Sequence, residues 1–225
     1  MTTLAYSPWG GGTNAYPFDE LFDTVIDARK DGLSTADAFL LWGGTDIHPS
    51  FYGKAAHRFS GAPSMPSERD LWEWQAMKYC KANGIPIIGV CRGAQFMCAF
   101  AGGKLIQHCT GHSTGAHSMV TKDGDVFPVT SSHHQMLELT GTRHELLGWT
   151  PNRLSAIYYG EHNQTPSEIV TAVQENTFKE PEVVFFPDIK GLAIQGHPEW
   201  SHGESEFVKK SLEWTVEYLF AEEWA

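Results

Sequence analysis

The chain has only 16 lysines and arginines against 27 aspartates and glutamates, a formal net charge of −11 over 225 residues. A protein that tracks a phosphate backbone needs a basic stripe to release counterions, so no nucleic-acid partner is expected, while a nucleotide-sized substrate stays open. No apolar run approaches the roughly 20 residues of a membrane-spanning helix. The opening MTTLAYSPWGGG lacks a charged-then-apolar signal layout, so no membrane partner is expected and the expected compartment is the cytoplasm. Cysteine is scarce. Cys80, Cys91, Cys98 and Cys109 form no C-x-x-C pair, which excludes a zinc ribbon or a thioredoxin-like motif and leaves four single thiols. Repeats, linkers and low-complexity segments are also missing, so a single domain over residues 1–225 is expected.

What is present alternates between two periods. TLAYS reads as a short strand, and PFDELFDTVIDARK places Phe18, Leu21, Phe22, Val25 and Ile26 at helical spacing. AFLLWGG reads as a strand. Ser67 with Asp70 resembles a capping box opening a helix through ERDLWEWQAMKYCKA, with Leu71, Trp74, Met77 and Cys80 on one face and Asn83-Gly84 as its stop. IPIIGV is a buried strand and GAQFMCAFA a helix ending at Gly102-Gly103. Beyond these, HSMV and VFPVTS flank a turn at Lys122 to Asp125 and predict a hairpin, while EIVTAVQ, EVVFFP and GLAIQ read as strands. EFVKKSLEWTVEYLF aligns Val208, Leu212, Val216 and Leu219 along a closing helix. Strands followed by helices in this order are the grammar of an α/β fold.

GVCRGAQ, Gly89 to Gln95, lies where a strand turns into a helix. A Gly-x-Cys-x-Gly turn at such a junction is tight and needs flanking residues without bulk. It also sets the thiol at a helix N-terminus, where the dipole and free N–H groups favour a thiolate. Free cysteines are usually small buried hydrophobes. That description suits Cys80 and Cys98 on helical faces, whereas its context makes Cys91 the candidate nucleophile. Such a thiol needs a base, and the base an orienting group. Eleven histidines are available, and GLAIQGHPEW offers His197 after a buried strand, with Glu199 two residues on and Pro198 stiffening the segment. In a parallel sheet the strand ends carrying Cys91 and His197 can converge on one edge.

These residues resemble the class I glutamine amidotransferases, and most closely their γ-glutamyl hydrolase branch of the peptidase C26 type. GVCRGAQ is similar to the family's nucleophile motif and GHPE to its His-x-Glu motif. LLWGGTDIHPSFYG is similar to the glycine-pair loop of the hydrolase branch, ERD precedes the helix before the elbow, and SSHHQ is similar to its substrate-side loop. The matches run in family order from about Ala38 to Trp200. The resemblance implies a three-layer α/β sandwich with a mostly parallel central sheet, a flavodoxin-like core and an added antiparallel hairpin region. It implies attack of Cys91 on a γ-glutamyl amide, with His197 as base then acid, Glu199 as its orienter, and the backbone N–H groups of Gly44 and Arg92 as oxyanion hole. Gly43, Gln95, Ser132 and His133 are implied as substrate-binding residues. No cofactor is implied. The partner is a small γ-glutamyl compound, with a separate ammonia-accepting synthase as the other possibility. Only KDGLSTAD separates PFDELFDTVIDARK from AFLLWGG, which predicts the loss of an edge strand near the N-terminus.

Two other classes compete. His108, His112, His117, His133 and His134 form a dense histidine region, but Gly111 and Gly115 break any regular helix that would align His108 with His112, and no metal is assigned. A non-catalytic binding or redox-sensing protein of the same fold would keep the elbow, and the presence of both His197 and Glu199 argues against it. Pocket specificity is expected to depend on the shapes of the loops around Trp42, His48 and Tyr52 and of the segment Ile157 to Gln164.

Overall fold

The computed structural model describes residues 1–10, 15–160 and 164–221. Part of the MTTLAYSPWGGG segment and residues 161–163 of the expected substrate-selecting segment lie outside these described residues. In chain order the strands are β1 (Thr3–Tyr6), β2 (Thr24–Asp27), β3 (Ala38–Leu41), β4 (Ile87–Val90), β5 (Lys104–Ile106), β6 (His108–Cys109) and β7 (Gly115–Thr121). There follow β8 (Val126–Ser131), β9 (Met136–Glu138), β10 (Glu145–Trp149), β11 (Tyr158–Tyr159), β12 (Pro181–Phe186) and β13 (Gly191–Ile194). The helices are α1 (Ala28–Asp31), α2 (Glu68–Asn83), α3 (Arg92–Phe100), α4 (Ser167–Gln174) and α5 (Glu206–Thr215), the last continuing as a π turn through Phe220.

Nine strands form the main sheet in the order β2-β1-β3-β4-β13-β12-β10-β7-β8. From β2 to β13 every pairing is parallel, and from β13 to β8 every pairing is antiparallel. The α/β sandwich with its antiparallel hairpin region therefore stands. Alternation along the central strands builds two cores. Phe39 and Leu41 of β3 face Met77, Cys80, Ala94 and Met97 on one side, while Ala38 and Leu40 join Phe207, Trp214 and Tyr218 on the other. Burying both faces explains why these strands read as continuous apolar runs.

The edge strand expected to be lost is present. Thr24–Asp27 pairs in parallel with β1 from Thr3↔Thr24 to Tyr6↔Asp27, and the helix expected over PFDELFDTVIDARK shrinks to one 3₁₀ turn, Phe18–Leu21, before it. Thr24, Val25 and Ile26 are β-branched and suit a pleated strand. Asp27 then caps α1, its Oδ1 accepting from the Arg29 and Lys30 N–H groups at 2.9 and 3.3 Å.

Two more expectations change. EIVTAVQ is helical in α4, whose Ile169 and Val173 share a small cluster with Tyr158 and Phe178. Their i, i+4 spacing outweighs the β-branched composition. In α2 the capping box of Ser67 and Asp70 forms as expected, but Leu71 is 55% exposed because Asp70 and Glu73 turn inward instead. In α5 the buried residues are Phe207, Val208, Ser211, Trp214 and Thr215, and Val216 faces out.

Candidate active site

Register brings three strand ends together. Leu41 lies beside Gly89, and Val90 beside Ile194, so the residues that follow β3, β4 and β13 emerge along one edge of the sheet. Those residues are the Gly43-Gly44 pair, Cys91 and His197. A carboxyl-terminal edge of this kind is where open α/β sheets place their sites.

Cys91 sits at φ 51° and ψ −106°, a conformation that costs a non-glycine residue on the order of 1–3 kcal/mol. Its N–H donates to the Ile194 carbonyl at 2.8 Å and its carbonyl accepts from the Gln95 N–H at 3.1 Å, so the turn is tied to β13 and to the first turn of α3. The flanking glycines are demanded by space. A Cβ on Gly89 would stand 2.4 Å from Met97 Sδ, and one on Gly93 would stand 2.4 Å from the Leu41 carbonyl oxygen. Close packing of α3 on β3 and β4 thus forces the Gly-x-Cys-x-Gly pattern.

His197 is held through its backbone. Its N–H donates to the Thr130 carbonyl at 2.9 Å, and the Thr130 hydroxyl donates to the His197 carbonyl. The ring Nδ1 lies 2.8 Å from Glu199 Oε1. Burial works against a charged imidazole here, but hydrogen bonds to Cys91 and Glu199 prevail and push its pKa up to about 9. Trp200 stacks flat on the ring, with centroids 3.7 Å apart and planes 2° from parallel. Its indole, 58% exposed, screens that face from solvent, a feature the GHPEW segment displayed without marking. A Cβ on Gly43 would stand 3.0 Å from His197 Cε1 and 3.4 Å from Cys91 Cβ, so the glycine pair passes directly over the Cys-His contact.

The sequence reading missed what holds the glycine pair. Arg69 Nη2 donates to the Trp42 carbonyl at 2.7 Å and its Nη1 to the Gly43 carbonyl at 3.0 Å. In a planar trans peptide the N–H points opposite to its C=O. Clamping these two carbonyls therefore aims the Gly43 and Gly44 N–H groups away from Arg69. Arg69 Nε also donates to Glu73 Oε1 at 2.9 Å, and Ser7 donates to the same oxygen at 2.5 Å. The Arg92 guanidinium completes a buried quartet, donating to Asp70 and to the other Glu73 oxygen. Arg92 N–H, at the first position of α3, has no acceptor within the helix. The signal was available: ERDLWE puts Arg69 and Glu73 at i, i+4 and two acids on the inward face.

The remaining expected residues separate. Gln95 is buried, with Nε2 donating to the Gln135 carbonyl at 3.2 Å, and Ser132 is exposed. His133 is buried with Nδ1 2.8 Å from the same Gln135 carbonyl, and its Nε2 faces Glu182 at 3.7 Å. His112 and His117, for which no metal was assigned, converge on that same carboxylate. In the loops expected to shape the pocket, Trp42 is buried in the core, Tyr52 is buried as well, and His48 caps a 3₁₀ turn by accepting from the Ser50 N–H. Cys80, Cys98 and Cys109 are buried thiols, and burial pushes the Cys80 pKa up to about 12. Among the described residues no helix is long and apolar enough to cross a membrane.

Solved structures give the class first. A glutamine amidotransferase from Thermotoga maritima aligns over 96% of this chain and 84% of its own, with a TM-score of 0.54 at 13% identity. PurLQS from the same organism aligns over 97% of this chain and 99% of the matched chain, with a TM-score of 0.57 at 13% identity. The fold is that of the class I glutamine amidotransferases. Within that class the chain belongs to the peptidase C26 family, whose model matches residues 23–199. The glutamine amidotransferase-like protein YvdE of Lactococcus lactis is 27% identical over 206 residues, covering 87% of this chain and 83% of that protein. Family membership supports amide hydrolysis or amide-nitrogen transfer.

Proposed function

We propose that this chain hydrolyses a γ-glutamyl amide bond through a thioester on Cys91. The observation that carries the proposal is the His197 ring, held at 2.8 Å by Glu199 and set with Cys91, in its strained elbow, against the same face of Gly43. With the thiol proton passed to His197, Cys91 Sγ attacks the γ-carbonyl carbon. The oxyanion that forms is met by the N–H groups of Gly44 and Arg92. One such donor is typically worth about 3–4 kcal/mol in the transition state. His197 returns the proton to the departing nitrogen, the C–N bond breaks, and ammonia or an amine leaves. Water, deprotonated by His197, then attacks the thioester, and glutamate departs as the thiol is restored.

Glu199 keeps the ring in the productive tautomer and offsets its charge. Gln95 and Ser132 are the side chains assigned to the glutamyl end. His133 acts from behind, because both its ring nitrogens are directed at protein atoms. A panel of glutamine, γ-glutamyl-amines and poly-γ-glutamates, assayed for released ammonia or amine with and without candidate synthases, tests this directly. Release by the chain alone is expected. Release only beside a synthase replaces hydrolysis with ammonia donation, and no turnover while Cys91 remains a free thiol replaces it with a binding role.

A further inference from the structure

We propose that His112, His117, His133 and Glu182 form a closed site for a divalent transition-metal ion, zinc foremost, which pins the loop behind the substrate pocket. This holds whether or not Cys91 turns over. The four residues come from the loop after β6, from β7, from the SSHHQ loop after β8 and from β12. Their ligand atoms lie within 4.8 Å of one another. The distances to Glu182 Oε1 are 3.1 Å from His112 Nδ1, 3.2 Å from His117 Nε2 and 3.7 Å from His133 Nε2. A tetrahedral ion with bonds of about 2.0–2.1 Å sets its ligand atoms roughly 3.3 Å apart. Two of the three distances to Glu182 already match, and the set as a whole, within 4.8 Å, contracts on the ion when it binds.

Hydrogen bonding on the far side of each ring makes the stronger case. His117 Nδ1 lies 3.1 Å from the Ser118 carbonyl, His133 Nδ1 2.8 Å from the Gln135 carbonyl, and His112 Nε2 3.1 Å from Glu180 Oε2. All three oxygens can only accept, so each ring spends its N–H outward. A neutral ring has only that one N–H, so with the rings neutral the nitrogen facing Glu182 offers a lone pair to an ion. Consistently, His112 Nδ1, His117 Nε2, His133 Nε2 and both Glu182 oxygens are buried without a hydrogen bond, although they lie within ion-pair distance. Three neutral rings with their lone pairs beside a carboxylate are an arrangement that a cation between them stabilises. Outward hydrogen bonds to carbonyl and carboxylate are also the usual support of metal-bound histidine.

Charge agrees. Glu180 is buried and accepts from Thr150, Tyr158 and the Leu154 and Ser155 N–H groups besides His112. A 2+ ion with three neutral rings balances Glu180 and Glu182. A closed set of three nitrogens and one oxygen, without an open position, suits a structural ion. Its reach to the site runs through one atom: the Gln135 carbonyl accepts from both His133 Nδ1 and Gln95 Nε2, and Gln95 lies one turn after Cys91.

The test is metal content of the full chain, purified without chelator and reconstituted with Zn²⁺ or Co²⁺. About one ion per chain is expected, with the visible absorption of tetrahedral Co²⁺, and a melting temperature lowered by EDTA and restored by Zn²⁺. His117→Ala and Glu182→Gln are expected to lose the ion. Cys91→Ala and His108→Ala, which leave the four ligands in place, are expected to keep it. Should the ligand variants fail to fold, the wild-type stoichiometry and EDTA response still decide. Substoichiometric metal with no Co²⁺ spectrum and no thermal response would overturn the proposal, as would retention in folded His117→Ala and Glu182→Gln.

Discussion

Two buried polar clusters connect to the Cys91 turn, one through Arg92 and one through Gln95, and they are finished differently. On the α2 side, Arg69 and Arg92 meet Asp70 and Glu73: two cations, two anions, and fixed donors on acceptors. On the β12 side, three histidines turn ring nitrogens that make no hydrogen bond toward Glu182. A buried polar network that is fully satisfied rigidifies its surroundings, whereas a half-satisfied one is costly. The first therefore works as a finished scaffold that aims the glycine pair, and the second as a socket.

The His197 ring, the proposed base, sets the upper limit of what either cluster can change. For Glu199→Gln, kcat is expected to fall by up to about 10⁴-fold, since the imidazole loses its tautomer control and counter-charge. A loss under tenfold would demote Glu199 to a turn residue. Breaking the scaffold comes next. Glu73→Ala leaves two buried guanidiniums sharing one carboxylate, and about 3–5 kcal/mol of stability should disappear in urea denaturation. A cost below about 1 kcal/mol would mean that the quartet is not what holds the loop.

Arg69→Ala sharpens the comparison, because it frees the two clamped carbonyls without touching Cys91. A drop of about 10²-fold in kcat with little change in KM is expected, the signature of an interaction made in the transition state. An equal rise in KM would assign Arg69 to ground-state binding instead. A smaller, pH-dependent effect belongs to His197. Its pKa is raised from an ordinary 6.5 to about 9, so its stabilising contribution is complete below pH 6.5 and fades as pH rises through about 9. The stability difference between wild type and His197→Gln should shrink over that window. A difference that grows with pH would reverse the assignment.

The site was legible where local geometry forces residue type. Gly89 and Gly93 announce the elbow because no Cβ fits, Ser67 and Asp70 announce α2, and Gly124, at φ 96°, turns the hairpin between β7 and β8. His197 and Glu199 were legible because they sit two residues apart. The clusters were not, since their members meet only through tertiary packing: Glu73 reaches Arg92 across 19 residues, and Glu180 reaches His112 across 68. Glu180 and Glu182 still left a trace, as acids at the head of the apolar strand EVVFFP, where carboxylates are rarely buried unpaired. Near the N-terminus, Phe18 to Ile26 imitated a helical period, and pairing with β1 overrode it.

The central claim is a covalent one, and it is tested most directly by mass spectrometry of the protein quenched in acid during turnover of glutamine or a γ-glutamyl-amine. A glutamyl adduct mapped to the peptide carrying Cys91, absent in Cys91→Ala, is the expected result. Turnover with Cys91 unmodified at every time point, or undiminished in Cys91→Ala, would contradict it.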